Sequence, residues 1–182
     1  NAVREHVLRD ADALAEGGVH GMMLENFGDV PFYPDAVPPI TIAHMTAIAA
    51  AVQERISVPL GINVLRNDGI AAVAVAHTAG AQFIRINILS GARLTDQGVI
   101  NGRAHAILRY RKRIGAENVK ILADIAVKHS SPLAERALID EVEETLHRAG
   151  ANGVVVSGAG TGKPVDEQRL RAVKGMAQGA MV

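Results

Sequence analysis

Gly80-Ala81-Gln82-Phe83-Ile84-Arg85-Ile86-Asn87 closes one helix and opens a strand. Strand side chains alternate faces, so Ile84 and Ile86 share one face while Arg85 and Asn87 share the other. The apolar face is expected to meet helices, and the face carrying Arg85 and Asn87 to look into an interior lined by polar groups. The same junction recurs at Gly18-Val19-His20-Gly21 and Gly150-Ala151-Asn152-Gly153. The seventh residue after each leading glycine is polar: Glu25, Asn87 and Ser157. A second strand type, Val58-Pro59-Leu60-Gly61-Ile62-Asn63 and Val119-Lys120-Ile121-Leu122-Ala123-Asp124, also finishes on a polar residue.

Working outward, short apolar strands alternate with helices. Expected helices are Ala2–Glu16, Thr41–Arg55 (capped by Thr41), Asp68–Ala79, Arg103–Ile114, Ser131–Ala149 (Ser131 as cap, Pro132 at the first helical position) and Pro164–Ala177. Expected strands are Val19–Glu25, Val58–Asn63, Gln82–Asn87, Val119–Asp124 and Asn152–Ser157, with Ala180-Met181-Val182 as the start of another. Strands separated by helices pair in parallel, with the helices outside. Strand starts recur about every 32 residues, so eight units would need the ~250 residues of a (βα)8 barrel. The expected fold is therefore α/β, an incomplete parallel (βα)8 TIM-barrel type in one domain over residues 1–182. It would hold five to six units and lack the first strand and the last portion. An open sheet of five or six strands is the alternative, although no G-x-G-x-x-G fingerprint follows an early strand. Unpaired first and last strands would favour self-association into a homo-oligomer.

Composition removes several function classes. Of 182 residues, 19 are Lys or Arg and 19 are Asp or Glu. With no basic excess, nucleic acid is not an expected partner. Cysteine is absent, which excludes thiolate metal sites and thiol nucleophiles and suits a reducing, cytoplasmic setting. No apolar run reaches the ~18 residues of a membrane span, and no signal-peptide pattern is visible. Aromatic residues are only 3%, which argues against a base- or sugar-stacking platform.

The chemistry-bearing residues follow the strands. Glu25, Asn26 and Asp29 leave the first strand in a loop stiffened by Pro31, Pro34, Pro38 and Pro39. This is either a loop whose Asn and Asp satisfy their own backbone or a ligand site at a barrel rim. Glu25 and Asp124 are also the candidate pair for a divalent cation, though their spacing specifies none, and no other metal site or cofactor is indicated. Asn63, Arg66 and Asn67 follow the second strand. Asn67 or Asp68 can cap the next helix, and Arg66 is either an anion ligand beside that helix or a solvated side chain. Arg85 needs a partner if enclosed, either Glu25 or Asp124. Asp124, Lys128 and His129 form the most reactive-looking group. Lys128 can act as base or Schiff-base nucleophile and His129 as proton carrier, or the two are an exposed pair before a cap. Ser157-Gly158-Ala159-Gly160-Thr161-Gly162-Lys163-Pro164 resembles a phosphate loop in composition but is not a Walker A motif, because Pro164 follows Lys163. Ser157, Gly158, Thr161 and Gly162 are its candidate contacts.

The runs Glu25–Phe32, Gly61–Asp68 and Phe83–Asn87, the pair Ala123-Asp124 with Val127-Lys128-His129, and the Ser157–Gly162 turn resemble the BtpA family, in that family's order along nearly the whole chain. The resemblance implies a phosphate-binding-type TIM barrel and a link to photosystem I biogenesis. It also implies an occurrence beyond photosynthetic bacteria, in some cases beside sugar-uptake genes. It brings no settled catalytic residues. Two function classes follow. One is an enzyme, a lyase, isomerase or hydrolase of a small sugar phosphate or nucleoside-like metabolite. Its catalytic residues would be Glu25, Asp124, Lys128 and His129, with Asn26, Asp29, Asn63, Arg66, Asn67, Arg85 and Asn87 binding substrate. The other is an assembly factor for a membrane complex, peripherally attached. A ring of polar side chains at strand ends favours the enzyme.

Overall fold

A computed structural model describes residues 2–182. Five parallel strands form the main sheet: β1 (Met22–Glu25), β2 (Leu60–Asn63), β3 (Phe83–Ile86), β6 (Lys120–Ile125) and β8 (Gly153–Val156). They lie side by side in sequence order, each strand beside its predecessor in this set. No strand is interposed as in a Rossmann sheet. Helices α1 (Ala2–Glu16), α2 (Pro39–Gln53), α3 (Gly69–Ala79) and α4 (Ala104–Arg113) fill the first connections. The later helices are α5 (Leu138–Glu143), continued by a π-helical turn at Glu144–Arg148, and α6 (Glu167–Met176).

The sheet is two-faced, as alternation requires. Ile62, Ile84, Ile86, Ile121 and Ala123 are almost fully buried in one cluster with Ala71, Ala72, Val73, Val75 and Ala76 of α3 and Ile107 of α4. Small residues on α3 let it settle closely on β2 and β3, and seven of its eleven residues are buried. Phe83 and Arg85 face the other way and are only half-buried. Gly61 makes room there. A Cβ on it would lie 2.1 Å from the Phe83 ring, so that ring rests directly over β2. Asp68 caps α3 by accepting the Ala71 amide at 2.9 Å, and Gly80 ends the helix at φ 76°.

A second sheet was not visible in the sequence. Strands β4 (Ala92–Thr95), β5 (Gly98–Asn101) and β7 (Ser130–Pro132) form an antiparallel sheet in the order β5-β4-β7. This corrects the expected helix over Ser131–Ala149. Ser131 pairs with Leu94 in a strand, and the helix begins only at Leu138. Two other starts shift as well. Helix α2 begins at Pro39 rather than Thr41, and α6 begins at Glu167 with Asp166, not Pro164, at its head. Met181 bridges to Gly153 in parallel. The antiparallel sheet is tied down by Ile88, Ile100 and Val127, which pack on one another. Its stem is tight: a Cβ on Gly102 would lie 2.5 Å from both the Leu89 oxygen and the Ser90 Cα, which are backbone atoms that cannot rotate away. Gly102→Ala is therefore expected to cost about 1–3 kcal/mol. An unchanged melting temperature would contradict this packing. Among the described residues, no helix is long and apolar enough to cross a membrane.

Candidate functional site

The parallel strands all end at one rim, so the polar residues that finish them are brought together. Arg85 is at the centre. Its Nε donates to Asp124 Oδ1 at 2.7 Å and its Nη2 to Asp124 Oδ2 at 2.9 Å, a bidentate pair. Its Nη1 donates to Glu25 Oε1 at 3.1 Å. Asn63 Nδ2 donates to the same Glu25 oxygen at 2.9 Å, and Asn87 Nδ2 to Asp124 Oδ2 at 3.1 Å. Five side chains from β1, β2, β3 with the residue after it, and β6 thus form one connected network. Burial alone would lower the Arg85 pKa. Hydrogen bonds and charge from Asp124, then Glu25, outweigh burial and hold it above the ordinary value.

The network forms the floor of a cavity of about 570 Å3. Arg66, Lys128, His129 and Thr161 line one side, and Phe27, Val30, Phe32 and Leu65 another. Asp96, at the tip of the β4–β5 hairpin, lines it as well. Arg66 is 5% exposed. Its Nη2 donates to the Lys128 carbonyl at 2.9 Å, while its Nε is buried without a partner. Burial lowers its pKa; Asp96 and Asp124 counter this in part, and Arg85 adds to the lowering. It remains a cation, since guanidinium does not lose its proton in proteins.

The segment after β6 presents Lys128 and His129. Ala126 and His129 both adopt left-handed backbone, at φ 45° and 56°. Val127 between them is buried, the Ala126 amide donates to Glu141 Oε1 at 2.8 Å, and Ser130 Oγ donates to the Val127 carbonyl at 2.7 Å. With Val127 pinned inward, its two successors are turned toward the cavity. Non-glycine residues in this region are strained, and such strain gathers at functional sites. His129 Nε2 lies 3.4 Å from Thr161 Oγ1.

Several sequence candidates turn out to hold backbone. Asn26 accepts the Leu65 amide at 2.7 Å and donates to the Leu65 carbonyl at 3.3 Å and to Asp29 Oδ2 at 3.0 Å. Asn67 clamps Ile88 in the same two-way manner, donating at 2.9 Å and accepting at 2.8 Å. Asp29 and Asn67 are outside the cavity lining, as are Ser157, Gly158 and Gly162. The phosphate-loop reading also meets a physical obstacle. Asp166 accepts the Gln168 and Arg169 amides, so a carboxylate already occupies the helix end that an anion would seek. Asp68 does the same for α3. The Asp124 side chain is fully enclosed, and both its oxygens are bonded to Arg85 or Asn87. Arg85 likewise stands between Glu25 and Asp124, where a divalent cation was considered. Among the described residues, no group of three or more His, Asp and Glu could hold a metal ion.

Five cavity residues were not foreseen: Phe27, Val30, Phe32, Leu65 and Asp96. Low aromatic content argued against a stacking surface, yet two of the chain's three Phe residues line this cavity, their rings 6.3 Å apart and tilted by 56°. A turn signal, Thr95-Asp96-Gln97-Gly98, could have placed Asp96 at a hairpin tip.

Comparison with known proteins agrees over the whole length. Residues 1–182 match the sequence profile of the BtpA family. A photosystem I biogenesis protein, BtpA, of Synechocystis sp. is 44% identical over 181 residues, which covers 100% of this chain and 63% of that protein. An uncharacterised protein of Thermococcus kodakarensis is 47% identical over 176 residues, covering 96% of this chain and 65% of its own. An uncharacterised mitochondrial protein of Caenorhabditis elegans is 33% identical over 181 residues, covering 96% and 65%. The chain therefore spans 63% to 65% of the length of these relatives.

Proposed function

The chain belongs to the BtpA family, and on that premise we propose that it forms most of a TIM-barrel-type enzyme domain acting on a small sugar-phosphate or nucleoside-like metabolite. Five parallel strands in sequence order, with helices on one face and a polar rim at their C-terminal ends, support the barrel reading. The reading rests chiefly on one observation: Lys128 and His129 border a cavity whose floor carries Arg85 and Glu25, with Asp124 bonded to Arg85 from behind. His129 carries protons, and Lys128 serves as base or amine nucleophile on a bound carbonyl. Arg85 and the amides of Asn63 and Asn87 orient the substrate, and the reaction is of lyase, isomerase or hydrolase type. A cytoplasmic setting goes with such a substrate.

A second reading takes the name of the Synechocystis relative as its guide: a factor for assembling a membrane complex, bound peripherally. Exposed Phe27, Val30, Tyr33 and Ile40 at one side of the rim favour it. A thermal-shift screen of metabolites on the full-length protein separates the two. The enzyme reading expects a stabilising hit that contains phosphate or sugar, worth about 2.7 kcal/mol at a hundredfold excess over Kd. No hit, together with recovery of membrane-complex subunits in a pull-down, would favour the assembly factor.

A further inference from the structure

Two residues that line the cavity each carry a buried polar atom with no bonding partner. Arg66 Nε is buried and unpartnered, and none of the ion pairs among the described residues includes Arg66. Asn87 Oδ1 is also buried and unpartnered, in a residue 2% exposed. The orientation of this amide follows from charge. Its NH2 must face Asp124, because a carboxylate only accepts, so its oxygen is left to face a donor from elsewhere. Buried polar groups are nearly always satisfied, and two orphans in one cavity point to a ligand that supplies an anion and a donor. Lys128, whose carbonyl accepts from Arg66, adds a positive charge, and His129 lines the same cavity. Glu25 and Asp124 do not compete for it, since both are bonded to Arg85; Asp96 also lines the cavity, but forms no ion pair with Arg66. The lining also has an open apolar part: Phe27 is 55% and Val30 66% exposed, and Phe32 lines the cavity with them.

We propose that the cavity binds a ligand with a flat ring against Phe27 and Phe32, a small anionic group on Arg66 between Lys128 and His129, and a hydroxyl or amino donor on Asn87 Oδ1. A cavity of about 570 Å3 suits such a molecule and lies within the usual range for small-ligand sites. The ring needs aromatic contact, which the tilted pair supplies as one phenyl face with the second ring inclined beside it. The anion needs charge-assisted donors with little water, which a buried guanidinium supplies. This rests on the enzyme reading for its substrate, but the test below reads binding alone.

Isothermal titration of the full-length protein with phenyl phosphate, benzoate, phenol and inorganic phosphate examines the ring and the anion. Phenyl phosphate is expected to bind at least tenfold tighter than inorganic phosphate and than phenol. Its ratio to benzoate tells phosphate from carboxylate. Arg66→Gln should weaken phenyl phosphate at least tenfold and leave phenol unchanged. If that variant melts early, Lys128→Gln provides the same readout from a half-buried position. Phe27→Ala should weaken phenyl phosphate at least tenfold and leave inorganic phosphate unchanged. Equal affinity for phenyl phosphate and inorganic phosphate, indifference to both cation variants, or no binding of any probe at millimolar concentration would overturn the proposal. Such a failure beside a sugar-phosphate hit in the metabolite screen removes the ring and keeps the enzyme. Ring-anion binding without turnover of any metabolite removes the enzyme and keeps the site.

Discussion

Arg85→Met is expected to destabilise the protein by about 3–5 kcal/mol, a fall in melting temperature of roughly 10 °C. The cause is what the change leaves behind. Asp124 has a side chain with no exposure, and without Arg85 its only remaining side-chain partner is the amide of Asn87. Glu25 keeps Asn63 and stands closer to water, with a quarter of its side chain exposed. Most of the cost therefore falls on the enclosed carboxylate. Arg85→Lys keeps the charge and loses the fork, so it should recover only part of the loss. Asp124→Asn should also lower the melting temperature, because one guanidinium then faces one carboxylate. Changing Arg85 to Met together with Asp124 to Leu should cost less than the sum of the single changes, since neither charge is stranded. Thermal denaturation of these variants is the measurement. If Arg85→Met and Asp124→Asn both melt with the parent protein while ligand turnover disappears, Asp124 belongs in the catalytic group.

On the proposed enzyme reading, His129→Asn is expected to reduce turnover by about 10²–10⁴-fold, the usual contribution of a positioned proton carrier. The melting temperature should hardly move. His129 is exposed, its one side-chain contact is the long one to Thr161, and Asn tolerates the left-handed backbone it adopts. The comparison of kcat/KM with melting temperature on this variant isolates chemistry from folding. Turnover within threefold of the parent protein would remove His129 from the mechanism and leave Lys128 as the sole candidate base.

The main sheet was legible because its signals are local. Four of the five helices that lead into the main sheet end near a glycine, a short apolar stretch follows, and a polar residue stands at or beside the strand end. Parallel pairing then fixes a common rim, which is why Glu25, Asn63, Arg85 and Asn87 could be named together. The antiparallel sheet was not legible, because its short strands are partly polar and lie inside strand-to-helix connections. Ser131-Pro132 carries a genuine helix-start pattern, and the pairing of β7 with β4 overrides it. Within the site, residue type did not reveal allegiance. Asn26 and Asn67 look like ligand groups, yet both fasten a loop through main-chain bonds. Phe27 and Phe32 escaped notice because scarcity of aromatics says nothing of where the few are placed.

The antiparallel sheet has a different hold on the molecule from the sheet beneath it. The floor of the site is backed by α3 and a large continuous core, whereas the hairpin that brings Asp96 over the cavity is anchored by Ile88, Ile100 and Val127. Regions with few apolar anchors open locally, at a small fraction of the free energy of global unfolding. The hairpin amides are therefore expected to exchange their hydrogens sooner than those of β2 and β3.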